Sequence, residues 1–120
     1  MKENTVKIKS LDFAIRMVGL CEILSSKKKQ FIISKQLLKS GTSVGANICE
    51  AEHAQSKADF IHKMAIAQKE INEALYWLEV LKGSETITED EFENIYPKGL
   101  EILKLLTTIL KTAKTQKTGD

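Results

Sequence analysis

Two pairs of side chains in this sequence have the spacing that metal sites on helices use. Glu50 and His53 are three residues apart, and Asp59 and His62 repeat the same carboxylate-histidine step. Residues three apart lie on one face of a helix, and di-iron proteins built on four helices use Glu-x-x-His steps in this way. The pattern therefore raises the hypothesis of a metal-binding bundle, with a metal oxidase as the corresponding enzyme.

The position of these residues argues against that hypothesis. A di-iron site also needs bridging carboxylates from the other two helices, near the middle of the bundle. Here both pairs flank a predicted turn near Gln55 and Ser56, and Asp12 is the only evident carboxylate nearby in the first helix. The sequence also lacks a phosphate-binding glycine loop, a His-Glu-x-x-His motif and a nucleophile with an evident base. We therefore predict no enzymatic activity, catalytic residue, metal, cofactor or small-molecule substrate, and keep the metal-binding bundle as a remote alternative.

The elements that would position these side chains are four helices, predicted at about 6–26, 29–54, 57–82 and 88–115. Apolar residues recur at three- and four-residue steps in each segment. Ser56 with Asp59 suits the start of the third helix, and Thr88 with Glu91 forms a capping box at the fourth. Short turns and the absence of a linker predict an all-α, antiparallel up-down-up-down four-helix bundle, with residues 1–120 as one domain.

Glycines and a proline mark special positions in the second and fourth helices. Gly41 and Gly45 share a face with Ile48 and Glu52, and we predict that this small face points inward, where another helix approaches closely. The alternative is a break at Gly41 that divides the segment into two shorter helices. In the fourth helix we predict a bend at Pro97, because the apolar register continues through it. The predicted inward residues of that helix are Phe92, Ile95, Gly99, Ile102, Leu106, Ile109 and Ala113.

The first helix carries more apolar surface than one bundle requires, since it has two apolar stripes. The stripe predicted to face the core consists of Leu11, Ala14, Ile15, Val18, Cys21 and Leu24. The stripe predicted to contact another subunit consists of Phe13, Met17 and Leu20, joined by Trp77 of the third helix. This surplus predicts a homo-oligomer. The alternative is peripheral packing of the same side chains within one bundle.

Composition predicts a cytoplasmic protein without a membrane partner. Hydrophobic residues make up 42% of the chain, and charged or polar residues interrupt the longest apolar clusters, so no segment is expected to span a membrane. The polar amino terminus lacks the apolar region of a signal peptide. Cys21 and Cys49 lie among apolar helical residues and form no Cys-x-x-Cys pair, so we predict two buried, reduced thiols.

A polar stripe runs along a neighbouring face of the second helix. Ser43, Asn47 and Glu50 are spaced by four and three residues, so their side chains lie close together on that face. We predict that they form a polar packing network, which fixes helix packing or subunit register. The alternative is simple exposure of the same stripe to solvent.

The same stripe carries a family resemblance. The run SGTSVGANICEA at residues 40–51 is followed by SKADF at 56–60 and LYWLE at 75–79. Together they resemble the four-helix-bundle family named for open reading frames in intervening sequences of bacterial 23S ribosomal RNA genes, over about residues 11–111. Ala51 departs from the glycine that many members carry. The resemblance implies an antiparallel bundle, often assembled as a ring of five subunits, with no established enzymatic activity. A related accessory protein of diversity-generating retroelements uses a similar pentamer to bind nucleic acid.

Charge is unevenly distributed along the chain, although the net charge is only +2. Residues 1–55, 56–95 and 96–120 have local balances of +4, −5 and +3. In an up-down-up-down bundle the start of helix 1, the turn between helices 2 and 3 and the end of helix 4 share one pole, which we predict to be basic. The predicted nucleic-acid contacts there are Lys7, Lys9, Lys57, Lys111, Lys114 and Lys117. At the other pole Lys27, Lys28 and Lys29 face an acidic cap, which neutralises much of their field. The cap consists of Glu85, Glu89, Asp90, Glu91 and Glu93.

Two functions follow for the predicted oligomer, for which five subunits are favoured. One is binding of RNA or DNA through the basic pole, driven by counterion release. Against it stand a single arginine, Arg16, and the lack of an aromatic-basic platform for unpaired bases. The other is a purely structural or protein-binding oligomer without nucleic-acid activity, in which the lysines are solvated helix ends.

Overall fold

The computed structural model describes residues 2–116, with side chains from residue 4 onward, as four α-helices. They are α1 (Lys2–Ser26), α2 (Phe31–Glu52), α3 (Lys57–Gly83) and α4 (Glu89–Thr115). Each helix packs against the next one along the chain, and α1 packs against α4, whereas the diagonal pairs have no close backbone approach within this range. The predicted all-α, antiparallel up-down-up-down bundle is confirmed.

The helix boundaries differ from the predicted ones mainly in the first half of the chain. α1 starts four residues earlier than expected. The polar residues at its start carry no apolar pattern, so periodicity does not predict a helix there. α2 starts two residues later, after Lys29 adopts a left-handed backbone with φ of 56°. It is one continuous helix through Gly41, so the alternative of a break there is wrong. α4 likewise continues through Pro97, and the accompanying bend stays a prediction.

Side-chain caps fix the starts of α3 and α4 at the predicted residues. The Asp59 backbone N–H donates to Ser56 Oγ at 3.0 Å, ahead of α3. The Glu91 N–H donates to Thr88 Oγ1 at 3.0 Å, and the Thr88 N–H donates back to the Glu91 carboxylate at 2.7 Å. These bonds satisfy backbone donors that have no partner inside the helix. The predicted capping box is confirmed.

The predicted core face of α1 is confirmed at Cys21 and Leu24 but is wrong over the first part of the helix. Leu11, Ile15 and Val18 are exposed, whereas Phe13 and Met17 are completely buried within the bundle. The full buried stripe of α1 consists of Val6, Ser10, Phe13, Met17, Cys21 and Leu24. The assignment of Phe13 and Met17 to a subunit contact is therefore wrong, because their own bundle covers them.

A close approach of α1 and α2 explains which face is buried. A Cβ atom placed on Gly41 would lie 2.5 Å from Met17 Cγ, so Met17 fills the space that the missing side chain leaves. On the opposite side, Phe13 Cε1 lies 3.3 Å from the corresponding position on Gly99 of α4. The predicted close helix approach at Gly41 is confirmed. Ile48 of the predicted inward face is buried as well, whereas Glu52 is exposed, and Val44, outside that face, is buried.

No helix of residues 2–116 is long and apolar enough to cross a membrane.

Candidate functional site

Four aliphatic side chains form an exposed stripe on α1, here called the α1 ridge. Ile8, Leu11, Ile15 and Val18 are 68%, 62%, 62% and 54% exposed. Their spacing of three, four and three residues is the a/d pattern with which one helix docks on another in coiled coils. α1 therefore presents to solvent a surface shaped for contact with a further helix.

A groove runs beside the α1 ridge, between α1 and α2. It has a volume of about 230 Å³, and its lining consists of Lys7, Ser10, Leu11, Ala14, Thr42, Gly45, Ala46 and Cys49. α1 and α2 approach each other closely at the bottom of this groove, because a Cβ on Gly45 would lie only 3.3 Å from Ser10 Oγ. This α1–α2 groove and the α1 ridge thus lie side by side, one recessed and one projecting.

The other two predicted interface residues are half-buried. Leu20 lies at a shallow recess between α1 and α4 that Arg16, Glu91 and Ile95 also line. The Trp77 indole N–H donates to the Glu73 carboxylate at 3.2 Å, within α3. Their part in a subunit contact stays a prediction.

The two cysteines occupy different environments. Cys21 is buried, and burial raises the pKa of its thiol to about 11. Ser34 Oγ donates to the Cys21 carbonyl at 3.2 Å beside it. Cys49 is exposed in the α1–α2 groove, so the prediction that both thiols are buried is wrong for it. Both cysteines are free thiols.

The predicted polar stripe on α2 makes mostly local bonds. Ser43 Oγ donates to the Lys39 carbonyl at 2.6 Å, and the Asn47 amide donates to the Ser43 carbonyl at 2.9 Å. Glu50 instead pairs with Lys63 of α3 at 2.8 Å. Glu50 therefore links two helices, whereas Ser43 and Asn47 bond to their own helix. A packing network among the three side chains stays a prediction.

The carboxylate-histidine pairs lie around the α2–α3 turn. His53 and His62 are both exposed, and the Glu50 carboxylate is paired with Lys63. The Asp59 carboxylate accepts from the Gln55 backbone N–H at 3.4 Å. Within the part of the chain that the structure describes, no three His, Cys, Asp or Glu side chains come together as metal ligands.

The predicted basic pole contains several lysines that already have partners. Lys7 pairs with Glu52 at 2.8 Å, and Lys9 pairs with Glu101 at 3.0 Å. The hydrogen bond from Lys7, followed by its charge, lowers the pKa of Glu52 and correspondingly raises the pKa of Lys7. These two ion pairs make the pole less basic than the local charge balances suggest.

The remaining lysines of that pole differ in their partners. Lys57 Nζ donates to the Gln116 carbonyl at 2.6 Å, which ties the start of α3 to the end of α4. Lys111 and Lys114 are exposed, and no carboxylate of residues 4–116 pairs with either. Lys117 lies outside the described residues.

A recess of about 230 Å³ opens near the same pole, lined by Lys7, Ile48, Ala51, Glu52, Phe60 and Met64. Its two charged residues, Lys7 and Glu52, are bound to each other. The recess therefore offers a ligand little beyond apolar contact.

A second group of lysines includes Lys35 and Lys39, which the sequence analysis does not single out. Residues 23–49 contain no Asp or Glu but include Lys27, Lys28, Lys29, Lys35 and Lys39. The other residues of the 1–55 segment hold four basic and five acidic side chains, so its positive balance comes entirely from this stretch. A residue-by-residue charge count would have found it. Phe31 and Ile32, in the same stretch, are 61% and 77% exposed.

Comparison with known proteins places the chain in a family. The sequence profile of the 23S rRNA-intervening sequence protein family matches residues 2–108. A crystal structure at 1.70 Å of a protein with unknown function from the S23 ribosomal protein family of Bacteroides thetaiotaomicron VPI-5482 is also similar. The two sequences are 56% identical, the match covers 92% of this chain and 99% of that chain, and the TM-score is 0.90. Among curated proteins, none matches.

Proposed function

Since the chain belongs to the family of 23S rRNA-intervening sequence proteins, we propose its function from the surface that its bundle leaves uncovered. The protein is a non-enzymatic, cytoplasmic homo-oligomer that assembles through the α1 ridge and the α1–α2 groove. The observation that carries this proposal is the α1 ridge itself, four aliphatic side chains in coiled-coil register, each more than half exposed.

The energetic argument rests on the continuity of the ridge. Burying one such side chain stabilises a contact by about 1.5–3 kcal/mol, and isolated exposed side chains are common on monomers. Four of them in one line, spanning about 15 Å of helix, instead supply a contiguous docking surface. Asn4 and Glu22 occupy the next positions of the same register, so the ridge has polar ends.

A second copy of the chain is the occupant that fits best. The α1 ridge projects and the adjacent α1–α2 groove is recessed, so one copy carries both halves of a complementary contact. A contact between two different surfaces of identical subunits closes into a ring when the rotation allows it. The family resemblance implies five subunits, and we adopt a pentameric ring as the assembly to test.

The test is the molecular mass in solution, by light scattering or sedimentation velocity. We expect wild-type protein at a multiple of 13.5 kDa and Leu11→Asp/Ile15→Asp at 13.5 kDa with unchanged helical circular dichroism. Tyr76→Asp is the matched control, because Tyr76 is 59% exposed on α3 and lies outside the ridge. A monomeric wild type, or a double variant that keeps the wild-type mass, would contradict the proposal.

Cys49 provides a second readout of the groove. It is exposed in one bundle and lines the α1–α2 groove, so assembly should cover it. We expect slow alkylation of Cys49 in the wild type and fast alkylation in Leu11→Asp/Ile15→Asp, with Cys21 protected in both. Equal Cys49 rates in an oligomeric wild type and the monomer would place the interface elsewhere.

A second candidate function is nucleic-acid binding at the basic pole, favoured by Lys111 and Lys114, which are exposed and pair with no carboxylate of residues 4–116. A ring would repeat this cluster once per subunit, which raises avidity for a polymer. The experiment is fluorescence anisotropy with structured RNA and duplex DNA from low to physiological salt. Binding that weakens with salt and in Lys111→Gln/Lys114→Gln would support this function. No binding at low salt would leave a structural or protein-binding oligomer.

A further inference from the structure

We propose that α2 and the turn before it bind single-stranded nucleic acid through a surface here called the α2 lysine face, formed by Lys29, Phe31, Ile32, Lys35 and Lys39. This inference rests on the second candidate function and moves its contact away from the basic pole. The chemistry recognised is a phosphodiester chain with unpaired bases, as found in RNA or single-stranded DNA.

The charge of this surface is unopposed along its own helix. No acidic residue occurs between Glu22 and Glu50. Lys29, Lys35 and Lys39 are exposed, and none forms an ion pair with any of residues 4–116. By contrast, Lys7 and Lys9 of the basic pole are held by Glu52 and Glu101. Lys29 Nζ donates to the Ser26 carbonyl at 3.1 Å. Phosphates that bind the α2 lysine face therefore displace no paired carboxylate of residues 4–116, whereas at Lys7 and Lys9 they must compete with bound carboxylates.

Two apolar side chains stand among these lysines. Phe31 is four residues before Lys35, and Ile32 is three residues before it, so both are its neighbours on the helix surface. At 61% exposure, Phe31 leaves most of its ring surface open to solvent. Contrary to the expectation from sequence, an exposed aromatic ring therefore stands beside positive charge, which is the arrangement on which unpaired bases stack, without regard to sequence. A fully paired duplex offers no free base face to this ring, so single strands are favoured.

The geometry favours a linear polyanion over a charged membrane. Lys35 and Lys39 are one helical turn apart, about 6 Å along the axis of α2, and Lys29 lies in the turn before this helix. The tip of the bundle is different, because Lys28 reaches across to the Thr86 carbonyl at 2.5 Å, next to the acidic α3–α4 turn. A flat anionic membrane docked on this tip would meet the carboxylates of the α3–α4 turn as well as the lysines.

The proposed surface lies on the same face of α2 as the α1–α2 groove but nearer the start of the helix, since Lys35, Lys39, Thr42, Ala46 and Cys49 recur at four- and three-residue steps. The α1 ridge ends at Val18, and Glu22 follows it in the same register before the turn to α2. Ile32, Lys35 and Lys39 recur at three- and four-residue steps, which places them on one face of α2. The buried residues of α2, such as Leu37, Val44 and Ile48, belong to other faces.

The experiment compares two triple variants that remove the same charge. One is Lys29→Asn/Lys35→Gln/Lys39→Gln, in which Asn suits the left-handed backbone at residue 29. The other is Lys57→Gln/Lys111→Gln/Lys114→Gln at the basic pole. Fluorescence anisotropy of labelled oligouridylate, oligothymidylate and duplex DNA is measured for each, with mass and circular dichroism as controls.

We expect the wild type to bind single strands more tightly than duplex. The α2 variant should lower the salt dependence, the slope of log Kd against log salt, by about 2, at about 0.7 per lysine contact. Phe31→Ala should weaken single-strand binding roughly 10-fold without changing that slope. Comparison of oligouridylate with oligothymidylate then identifies RNA or DNA as the preferred source of the strand.

The remaining outcomes separate this inference from the function on which it rests. Loss of binding in the pole variant only would overturn the α2 lysine face and keep nucleic-acid binding at the basic pole. No binding by the wild type would overturn both. Binding to phosphatidylserine vesicles without binding to any oligonucleotide would overturn the inference in favour of a membrane contact.

Discussion

The two apolar faces of α1 have similar residue spacing, but the bundle buries one and leaves the other exposed. One contains Phe13 and Met17 and is completely buried, and the other contains Leu11 and Ile15 and is mostly exposed. Both repeat at three- and four-residue steps, so periodicity alone does not rank them. The difference comes from the neighbouring helices, where Gly41 and Gly99 leave room for Met17 and Phe13. The shape of the partners, more than the hydrophobicity of α1, selects its core face.

The largest expected effect is a difference in unfolding free energy between substitutions of one residue from each face. In the monomeric Leu11→Asp/Ile15→Asp background, Phe13→Ala should lower the free energy of unfolding by about 3–5 kcal/mol, because it leaves a cavity in the core. Val18→Ala should change it by no more than about 0.5 kcal/mol, because Val18 is exposed. Urea unfolding followed by circular dichroism measures both. Similar losses for the two variants would show that the bundle buries both faces.

Gly41 and Gly19 allow a second comparison of the buried and exposed sides of α1, with smaller expected changes in stability. Gly41→Ala introduces a Cβ 2.5 Å from Met17 Cγ, and the overpacking cost of about 1–3 kcal/mol exceeds the gain in helix propensity of about 1 kcal/mol. We expect a net loss of about 1 kcal/mol. Gly19→Ala, on the exposed side of α1, meets no atom within 4 Å and should stabilise by about 0.5–1 kcal/mol.

The same denaturation experiment in the monomeric background measures both glycine variants. Stabilisation by Gly41→Ala would mean that Met17 moves aside freely and that the packing of α1 on α2 is loose. A loss at Gly19 would instead reveal a close neighbour on the exposed side of α1.

The smallest expected effect lies at the edge between the two faces, where Lys7 pairs with Glu52. The hydrogen bond and charge of Lys7 lower the pKa of Glu52 below its usual 4.5, so the stabilisation is present above that pH and is lost as pH falls through the lowered pKa. The pKa of Lys7 is raised above 10.5, so its stabilisation is present below that pH and is lost as pH rises through the raised pKa. Both side chains are exposed, which keeps the effect small.

Unfolding free energies of Lys7→Gln, Glu52→Gln and the double variant, measured from acid to neutral pH, isolate this pair. We expect a coupling at neutral pH that disappears in acid. A coupling that persists in acid would point to a contact other than the ion pair.

How far the sequence predicts this protein depends on how many apolar faces a helix has. The structure buries six of the seven predicted inward residues of α4, with Leu110 buried and Ala113 half-buried beside them. α4 has one apolar face, and its capping box fixes the start. α1 has two such faces, and the core prediction holds at Cys21 and Leu24 but fails at Leu11, Ile15 and Val18. Without the positions of Gly41 and Gly99 in space, no pattern within α1 could decide between them.

The candidate surfaces could likewise be predicted from the sequence only in part. Leu11, Ile15 and Val18 were recognised as an apolar stripe but given the wrong role. The pairing of Lys7 with Glu52 joins residues 45 positions apart in sequence and requires the packed bundle. Lys35 and Lys39 were overlooked for a simpler reason, because charge was summed over long segments that mixed them with the acidic residues of other surfaces.

The order of helix packing has a consequence for how this chain reaches its native state. α1, α2 and α3 each pack on the next helix in sequence, and only the α1–α4 contact joins distant parts of the described chain. Such a topology closes mostly short loops, so we expect rapid folding on the microsecond-to-millisecond scale. The α1–α4 contact carries the largest loop-closure entropy and should form last. Transient opening of the folded bundle should begin at the α1–α4 contact. Hydrogen exchange would detect it there as the earliest loss of amide protection.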